Sequence, residues 1–231
     1  MAFHLRYIEK KEICKDTHAL YFDITGKDFY YKAGQYASVT IPILEAKDGK
    51  GNKRHFSIAN APGENNFIEI ITRKSGSDFS GKILNLVKGE ELVFENPAGE
   101  INADNIHGSP VFIAGGTGIT PVRSIVSYWK KKGVHKRITL FYANRTAACA
   151  PFMDEFRMYE SSSFEFIPIF EEGEEERYEK GVFNEEIFRR YTNDISARYY
   201  YITGPPAMLS EAIKILVKAG VRDERIFIEN V

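Results

Sequence analysis

Arg54-His55-Phe56-Ser57 sets a cation, a flat apolar ring and a small hydroxyl on one short extended stretch. Such groups can grip a phosphate, cover an aromatic heterocycle and hydrogen-bond its edge. A second run, Gly115-Gly116-Thr117-Gly118-Ile119-Thr120-Pro121, follows directly on the apolar Val111-Phe112-Ile113-Ala114. A strand, a glycine turn and a helix start, in that order, is how α/β sheets hold phosphates. The glycines let the backbone come close, and free helix N–H groups favour the negative charge. Tyr201-Ile202-Thr203-Gly204-Pro205-Pro206 repeats that logic at another strand end. Two such turns in one sheet would line one crevice beyond the C-terminal strand ends. Asn144-Arg145-Thr146 follows the second strand of that sheet, where an adenosine ribose would be met. Arg145 could pair a 2′-phosphate, and the stretch Ala143-Asn144-Arg145-Thr146-Ala147-Ala148 holds no carboxylate for a free 2′-hydroxyl. Each run also has a plainer reading: a strand with an exposed Arg and a core Phe, a structural turn, a helix start, a surface Arg.

The elements that must position these groups fall into two styles. Before about Asp104 the chain reads as short strands: 19–24, 36–41, 67–72 and 91–94. They are separated by Lys50-Gly51-Asn52, Pro62-Gly63-Glu64-Asn65-Asn66 and Asn96-Pro97-Ala98-Gly99. That spacing predicts a small antiparallel barrel. A helix over 80–87, with Ile83, Leu84 and Val87 at helical spacing, interrupts it. After Asp104 strands (111–114, 138–142, 164–170, 199–203, 226–229) alternate with helices (121–131, 151–159, 185–191, 206–219). This predicts a parallel sheet with helices on both faces. The acidic run 171–176 reads as a solvated loop. The expected division is 1–104 for the barrel and 105–231 for the α/β domain.

Composition narrows the function classes. At 231 residues, 43% hydrophobic and a formal net charge of −1, the chain has enough apolar material for a core. It carries no charge signature of nucleic-acid or membrane-surface binding. The 17 Phe and 13 Tyr suit sheet. Cys14 and Cys149 are the 2 cysteines, too few for a four-thiolate iron–sulfur cluster and a poor disulfide scaffold. The five histidines show no paired metal-ligand spacing, so no metal site is expected. Ser57 has no base beside it in sequence and reads as a hydrogen-bond donor, not a nucleophile. The N-terminal stretch is too mixed for a signal peptide and no run approaches membrane-spanning length. A reducing cytoplasm is the expected compartment, with no membrane span and a monomer or homodimer.

Taken in order, these pieces resemble the ferredoxin–NADP reductase superfamily of flavin oxidoreductases over nearly the whole chain. The resemblance includes Gly34-Gln35-Tyr36 before the flavin strand and Arg54-His55-Phe56-Ser57 as the Arg-x-Tyr-Ser flavin motif. Gly89-Glu90-Glu91-Leu92 to Pro97-Ala98-Gly99 is similar to the family's barrel-closing turn, and Gly115 to Pro121 with Gly204-Pro205-Pro206 to its pyridine-nucleotide turns. It implies that Arg54 contacts a flavin phosphate, Phe56 lies against the ring system and Ser57 sits near flavin N5. His55 would belong to the same flavin-binding run, and Ser80 would be the second phosphate-binding hydroxyl. On the nucleotide side it implies Gly115, Gly116, Thr117, Gly118, Thr120, Pro121, Gly204 and Pro205, to which position in the sheet adds Asn144, Arg145 and Thr203. Ser57 and Glu229 would be the catalytic pair, Glu229 matching a family acid near the flavin. Phe56 replaces the usual Tyr, Thr203 stands where many members have Cys, and Ile228-Glu229-Asn230-Val231 lacks the plant-type terminal aromatic. The implied cofactors are FAD in preference to FMN, and NADPH or NADH with NADPH slightly favoured. Implied acceptors are a ferredoxin, a flavodoxin, an oxygenase component or free flavin. A non-catalytic flavin-holding electron-transfer or regulatory subunit is the alternative, and a nucleotide-binding domain with a flavin-free structural barrel a third reading.

Overall fold

A computed structural model describes residues 1–63, 65–173 and 177–229 of the chain. Two six-stranded sheets form it. The first is antiparallel, built from β1 (Ala2–Cys14), β2 (Thr17–Asp23), β3 (Tyr36–Thr40), β4 (Lys53–Ser57), β5 (Phe67–Arg73) and β6 (Glu91–Glu95), in the order β4-β3-β6-β1-β2-β5. Its two ends meet where Ile58 pairs with Ile70 and Ala59 N–H donates to Glu69 O at 2.7 Å, which closes the barrel. Leu5, Leu20, Phe22, Val39, Ile70 and Phe94 fill the interior.

The four expected barrel strands hold, the extended stretch at Arg54 is β4, and β1 is an addition. β1 went unread in the sequence because only Leu5 and Tyr7 of its residues are buried. Phe3, Leu5 and Tyr7 alternate over only five residues, and the exposed charged run Glu9 to Glu12 follows, so the pattern is too short to stand out. The barrel helix differs from the expected 80–87: α1 spans Asp78–Ile83, started by the Ser77 side chain accepting from Ser80 N–H. Val87 is 68% exposed and lies in a turn where Glu90 Oε2 accepts its N–H at 2.6 Å.

The second sheet is parallel, from β7 (Pro110–Gly115), β8 (Ile138–Asn144), β9 (Phe164–Phe170), β10 (Glu179–Lys180), β11 (Tyr199–Thr203) and β12 (Ile226–Glu229). Its order is β10-β9-β8-β7-β11-β12. Around it lie α2 (Ile119–Lys132), α3 (Met153–Tyr159), α4 (Glu185–Tyr191) and α5 (Pro206–Lys218). Period-two alternation splits β7 between both faces. Phe112 and Ala114 pack with residues of α2 and α3, whereas Val111 and Ile113 pack with α4 and α5. α3 begins at Met153 instead of 151 because Phe152 takes a left-handed φ of 63°. α2 begins two residues earlier than expected, after a 3₁₀ turn over Gly116–Gly118. β10 is a two-residue edge strand with no sequence signal of its own. Glu171 and Glu172 are exposed, as expected of the acidic run, while 174–176 lie outside the described residues.

The strand order reverses direction between β7 and β11, so the turns after these two strands are neighbours at a topological switch point. The barrel docks against this end. Gly34 shows how closely: a Cβ there would sit 2.5 Å from Ile101 O and 2.7 Å from Ile125 Cδ1 of α2. Its φ of 100° is also one that side chains rarely adopt.

Candidate functional site

A cleft runs between barrel and parallel sheet, and most of the sequence-derived residues face it. Period two along β4 places Arg54 and Phe56 on one side and His55 and Ser57 on the other. Arg54 and Phe56 both lie on Phe79 of α1: the guanidinium carbon is 5.1 Å from its ring centroid, and the Phe56 ring 5.9 Å. His55 stacks on Tyr36, centroids 5.1 Å apart and rings 12° from parallel. His55, Phe56 and Ser57 line the cleft from the barrel, and Thr117, Gly118 and Thr120 line it from the α2 side. Pro121, Thr203, Gly204 and Glu229 complete the nucleotide-domain wall.

Several polar groups there lack protein partners. Arg54 Nη1 donates to the carbonyls of Lys50 and Lys53, both at 2.7 Å. Its Nη2 is buried without a hydrogen bond; the Asp48 carboxylate stands 4.0 Å off. A buried guanidinium edge left open suits a phosphate oxygen. Ser80 is placed differently. Its Oγ accepts from Ser75 N–H at 3.0 Å and donates to Arg73 O at 3.3 Å, so its proton shapes the 73–80 loop. Nothing local to Ser80 signals this, since Ser75 and Arg73 meet it only through the loop's path.

The two glycine-bearing turns are joined directly. Thr203 Oγ1 donates to Gly118 O at 2.6 Å, which is the hydroxyl's structural use at this position. Gly118 leaves no room for a side chain, a Cβ falling 2.6 Å from Thr203 O. Gly116 differs: its φ is +55° and nothing lies within 4 Å of a built Cβ. That open side faces a second hollow, lined by Gly115, Gly116, Asn144, Arg145, Pro205 and Met208. Asn144 is 7% exposed, and both amide atoms of its side chain lack a hydrogen-bond partner. A buried amide without partners marks a place for a ligand's polar atoms. Arg145, by contrast, is exposed and gives its Nε to Glu172 Oε1 at 2.8 Å. Glu171 lines the same hollow. The sequence stretch around Arg145 has no acid, but the end of β9 brings two.

Glu229 ends the described part of β12 beside Thr203, with Oε2 buried and unpartnered. Burial first, and the Glu100 carboxylate second, push its carboxyl up to about 7 from the usual 4.5. A carboxyl of that kind can hold a proton at the cleft near neutral pH. The same shift fixes a stability prediction. Unfolded, Glu229 loses its proton near 4.5; folded, it keeps it to about 7. The folded state therefore binds more protons across that window, and stability present below it is lost as pH rises through 7. Melting temperature of the flavin-free protein should fall between pH 5 and 8, and Glu229→Gln should flatten that part of the fall. Parallel pH profiles of wild type and variant would refute the shift.

The family model for an oxidoreductase FAD-binding domain matches residues 4–103, and that for an oxidoreductase NAD-binding domain matches 112–214. This chain belongs to the ferredoxin–NADP reductase-like superfamily. The barrel of this superfamily member is thus its FAD-binding domain, and the α/β half, with the switch-point turns, its NAD(P)H-binding domain. Among relatives, the chain is 28% identical to the reductase component of a propane 2-monooxygenase from Mycolicibacterium goodii, over 87% of this chain and 59% of the relative. It is 27% identical to the reductase component DmpP of a phenol 2-monooxygenase from Pseudomonas sp. (strain CF600), over 86% of this chain and 57% of the relative. The chain thus spans under three-fifths of these relatives' length. In fold it superposes on a ferredoxin NADP+ reductase from Neisseria gonorrhoeae, TM-score 0.84 at 17% identity, covering 99% of this chain and 98% of that one.

Proposed function

We propose that this chain is an NAD(P)H-dependent FAD oxidoreductase that passes electrons onward to a protein acceptor, or to free flavin. The observation that carries this reading is the single cleft in which β4, both glycine-bearing turns and Glu229 face one another. Residues 1–104 are assigned to FAD and 105–231 to the nucleotide. FAD, when bound, supplies a centre that accepts a hydride and releases electrons singly or in pairs. The chain's residues hold and orient. Arg54 Nη2 neutralises a phosphate, and the Ser57 hydroxyl hydrogen-bonds the edge of the flavin ring. The Thr203–Gly118 bond fixes the nucleotide turns against each other, and Glu229 holds a proton at the cleft. Holding two reactants in register is itself a large rate term.

The two relatives named above are reductase components of monooxygenases, so we place an oxygenase component first among acceptors, ahead of a ferredoxin or flavodoxin. No helix among the described residues is long and apolar enough to cross a membrane. Cys14 and Cys149 are free thiols, in keeping with a reducing cytoplasm. The surroundings of Arg145 disfavour the expected slight preference for NADPH. A 2′-phosphate would have to displace Glu172 from Arg145 and lie near Glu171, so NADH should serve at least as well.

Purified protein supplied with flavin should turn yellow and release FAD on denaturation. The loaded protein should oxidise nicotinamide nucleotide with an artificial acceptor, NADH no worse than NADPH. Ser57→Ala should keep flavin but slow its reduction. Protein that stays colourless with both FAD and FMN refutes the reading. Protein that holds FAD yet oxidises neither nucleotide is a flavin-holding subunit instead. A tenfold preference for NADPH, about 1.4 kcal/mol, would restore Arg145 as a phosphate ligand.

A further inference from the structure

One guanidinium fastens the nucleotide half to the flavin half. Arg123 lies near the start of α2, the helix whose first residues, Thr120 and Pro121, line the cleft. Its Nη1 donates to Glu69 Oε2 at 2.7 Å, across to β5 of the barrel, and to Ala59 O at 3.3 Å. Its Nε donates to Glu155 Oε2 of α3 at 2.7 Å, and the Phe152 ring lies 4.2 Å from the guanidinium carbon. Glu69 is 5% exposed, so its carboxylate depends on this partner.

The neighbouring residue extends the grip. Ser124 Oγ donates to Asn60 O at 2.8 Å. The Asn60 side chain in turn donates to Phe67 O at 2.9 Å and accepts from Glu69 N–H at 2.8 Å. Arg123 and Ser124 thus hold Ala59 and Asn60, two and three residues beyond Ser57, the last residue of β4. One turn before Arg123, Thr120 of the same helix and Gly118 just before it line the cleft that Ser57 lines from the barrel. A path of four residues on each side connects the clamp to the place where two rings would meet.

We propose that Arg123 is a positioning residue that sets the approach of the nicotinamide wall of the cleft to the flavin wall. The assignment rests on the NAD(P)H–FAD reading above. Buried ion pairs add little net stability over apolar replacements of similar volume. What a planar fork satisfying two carboxylates and a carbonyl does supply is one defined geometry. Lysine cannot reach all three acceptors at once, and methionine reaches none.

Three measurements on Arg123→Met and Arg123→Lys test this. In flavin-free protein, amide hydrogen exchange at residues 59–61 and 69 should speed up in Arg123→Met and less so in Arg123→Lys. In FAD-loaded protein, flavin content should stay equimolar and the nucleotide dissociation constant should move only a few-fold. Meanwhile the hydride step at saturating nucleotide should slow by roughly 10- to 100-fold, as a displacement of about an ångström would do. The long-wavelength absorbance of stacked nicotinamide and flavin should weaken in step. An unchanged hydride rate and absorbance in Arg123→Met overturns the proposal. So does a loss of FAD as large as the loss of rate, which would make Arg123 a fold residue only. Should Arg123→Met fail to fold, Glu155→Gln, which weakens the Nε contact while leaving an oxygen to accept from Ser127 Oγ and the Tyr159 hydroxyl, carries the same readouts and the same expectations. Should wild type bind no FAD, the functional reading fails, and the exchange data still decide whether the clamp holds the halves together.

Discussion

Arg54→Ala is expected to yield a folded protein that loses its flavin on gel filtration. The loop contacts of Nη1, to the Lys50 and Lys53 carbonyls, are at the surface and contribute little to the fold. The buried, unpartnered Nη2 is the group whose removal is felt by a bound phosphate. A hydrogen bond to a charged group contributes about 1.5–3 kcal/mol, so FAD affinity should fall by roughly 10- to 150-fold. Arg54→Lys should recover only part of it, because an ammonium cannot hold the loop carbonyls and present a second donor edge together. Calorimetric titration of flavin-free protein with FAD measures both. Wild-type affinity in Arg54→Ala would move the phosphate elsewhere.

Gly116→Val and Gly118→Ala should fail in different ways. Gly116 has open space beside it, so a valine there fits sterically but projects toward the hollow beside Asn144. Its φ of +55° also strains a β-branched residue. The variant should hold FAD and its spectrum while nucleotide binding weakens. At Gly118 even a methyl group meets the backbone of Thr203 and Gly204, at 2.6 and 2.7 Å, and backbone cannot step aside cheaply. Overpacking of this kind costs about 1–3 kcal/mol. For a chain of this size that lowers the melting temperature by roughly 2–12 °C, and nucleotide affinity falls with it. Thermal melts and nucleotide titrations of both variants make the comparison. Unaltered nucleotide affinity in folded Gly116→Val would take the pyrophosphate away from this turn.

Local pattern is what the sequence displays well. β9, α4, β11 and β12 fall where apolar runs and punctuation place them, because each is defined by its own residues. The glycine turn after β7 was legible for the same reason: strand, turn and helix start are consecutive. What stayed hidden depends on partners far along the chain. β1 carries its alternation only over Phe3, Leu5 and Tyr7, ahead of a charged run. Val87 had helical spacing, but Glu90 holds it in an exposed turn instead. Glu171 and Glu172 come to Arg145 through strand pairing of β8 with β9, which no reading of 143–148 could supply. Arg123 looked like an ordinary helix residue until the fold set Glu69, fifty-four positions away, against it. The terminal Asn230 and Val231, where a plant-type aromatic was missed, lie outside the described residues.

Gly34 has a consequence for how the molecule comes apart. Its missing side chain lets Ile125 of α2 press against the barrel, and behind it Ala33, Ile101 and Ile106 share one apolar cluster with Val122 and Trp129. The barrel keeps a core of its own, but Ala33 and Ile101 on its flank belong to the cluster of the α/β half. Release of the α/β half would strip cover from Ala33 and Ile101 on the barrel's flank, which couples the two halves in unfolding. Unfolding should be a single cooperative event, and a chimera that joins this barrel to another relative's nucleotide half must inherit the residues of the seam from one parent.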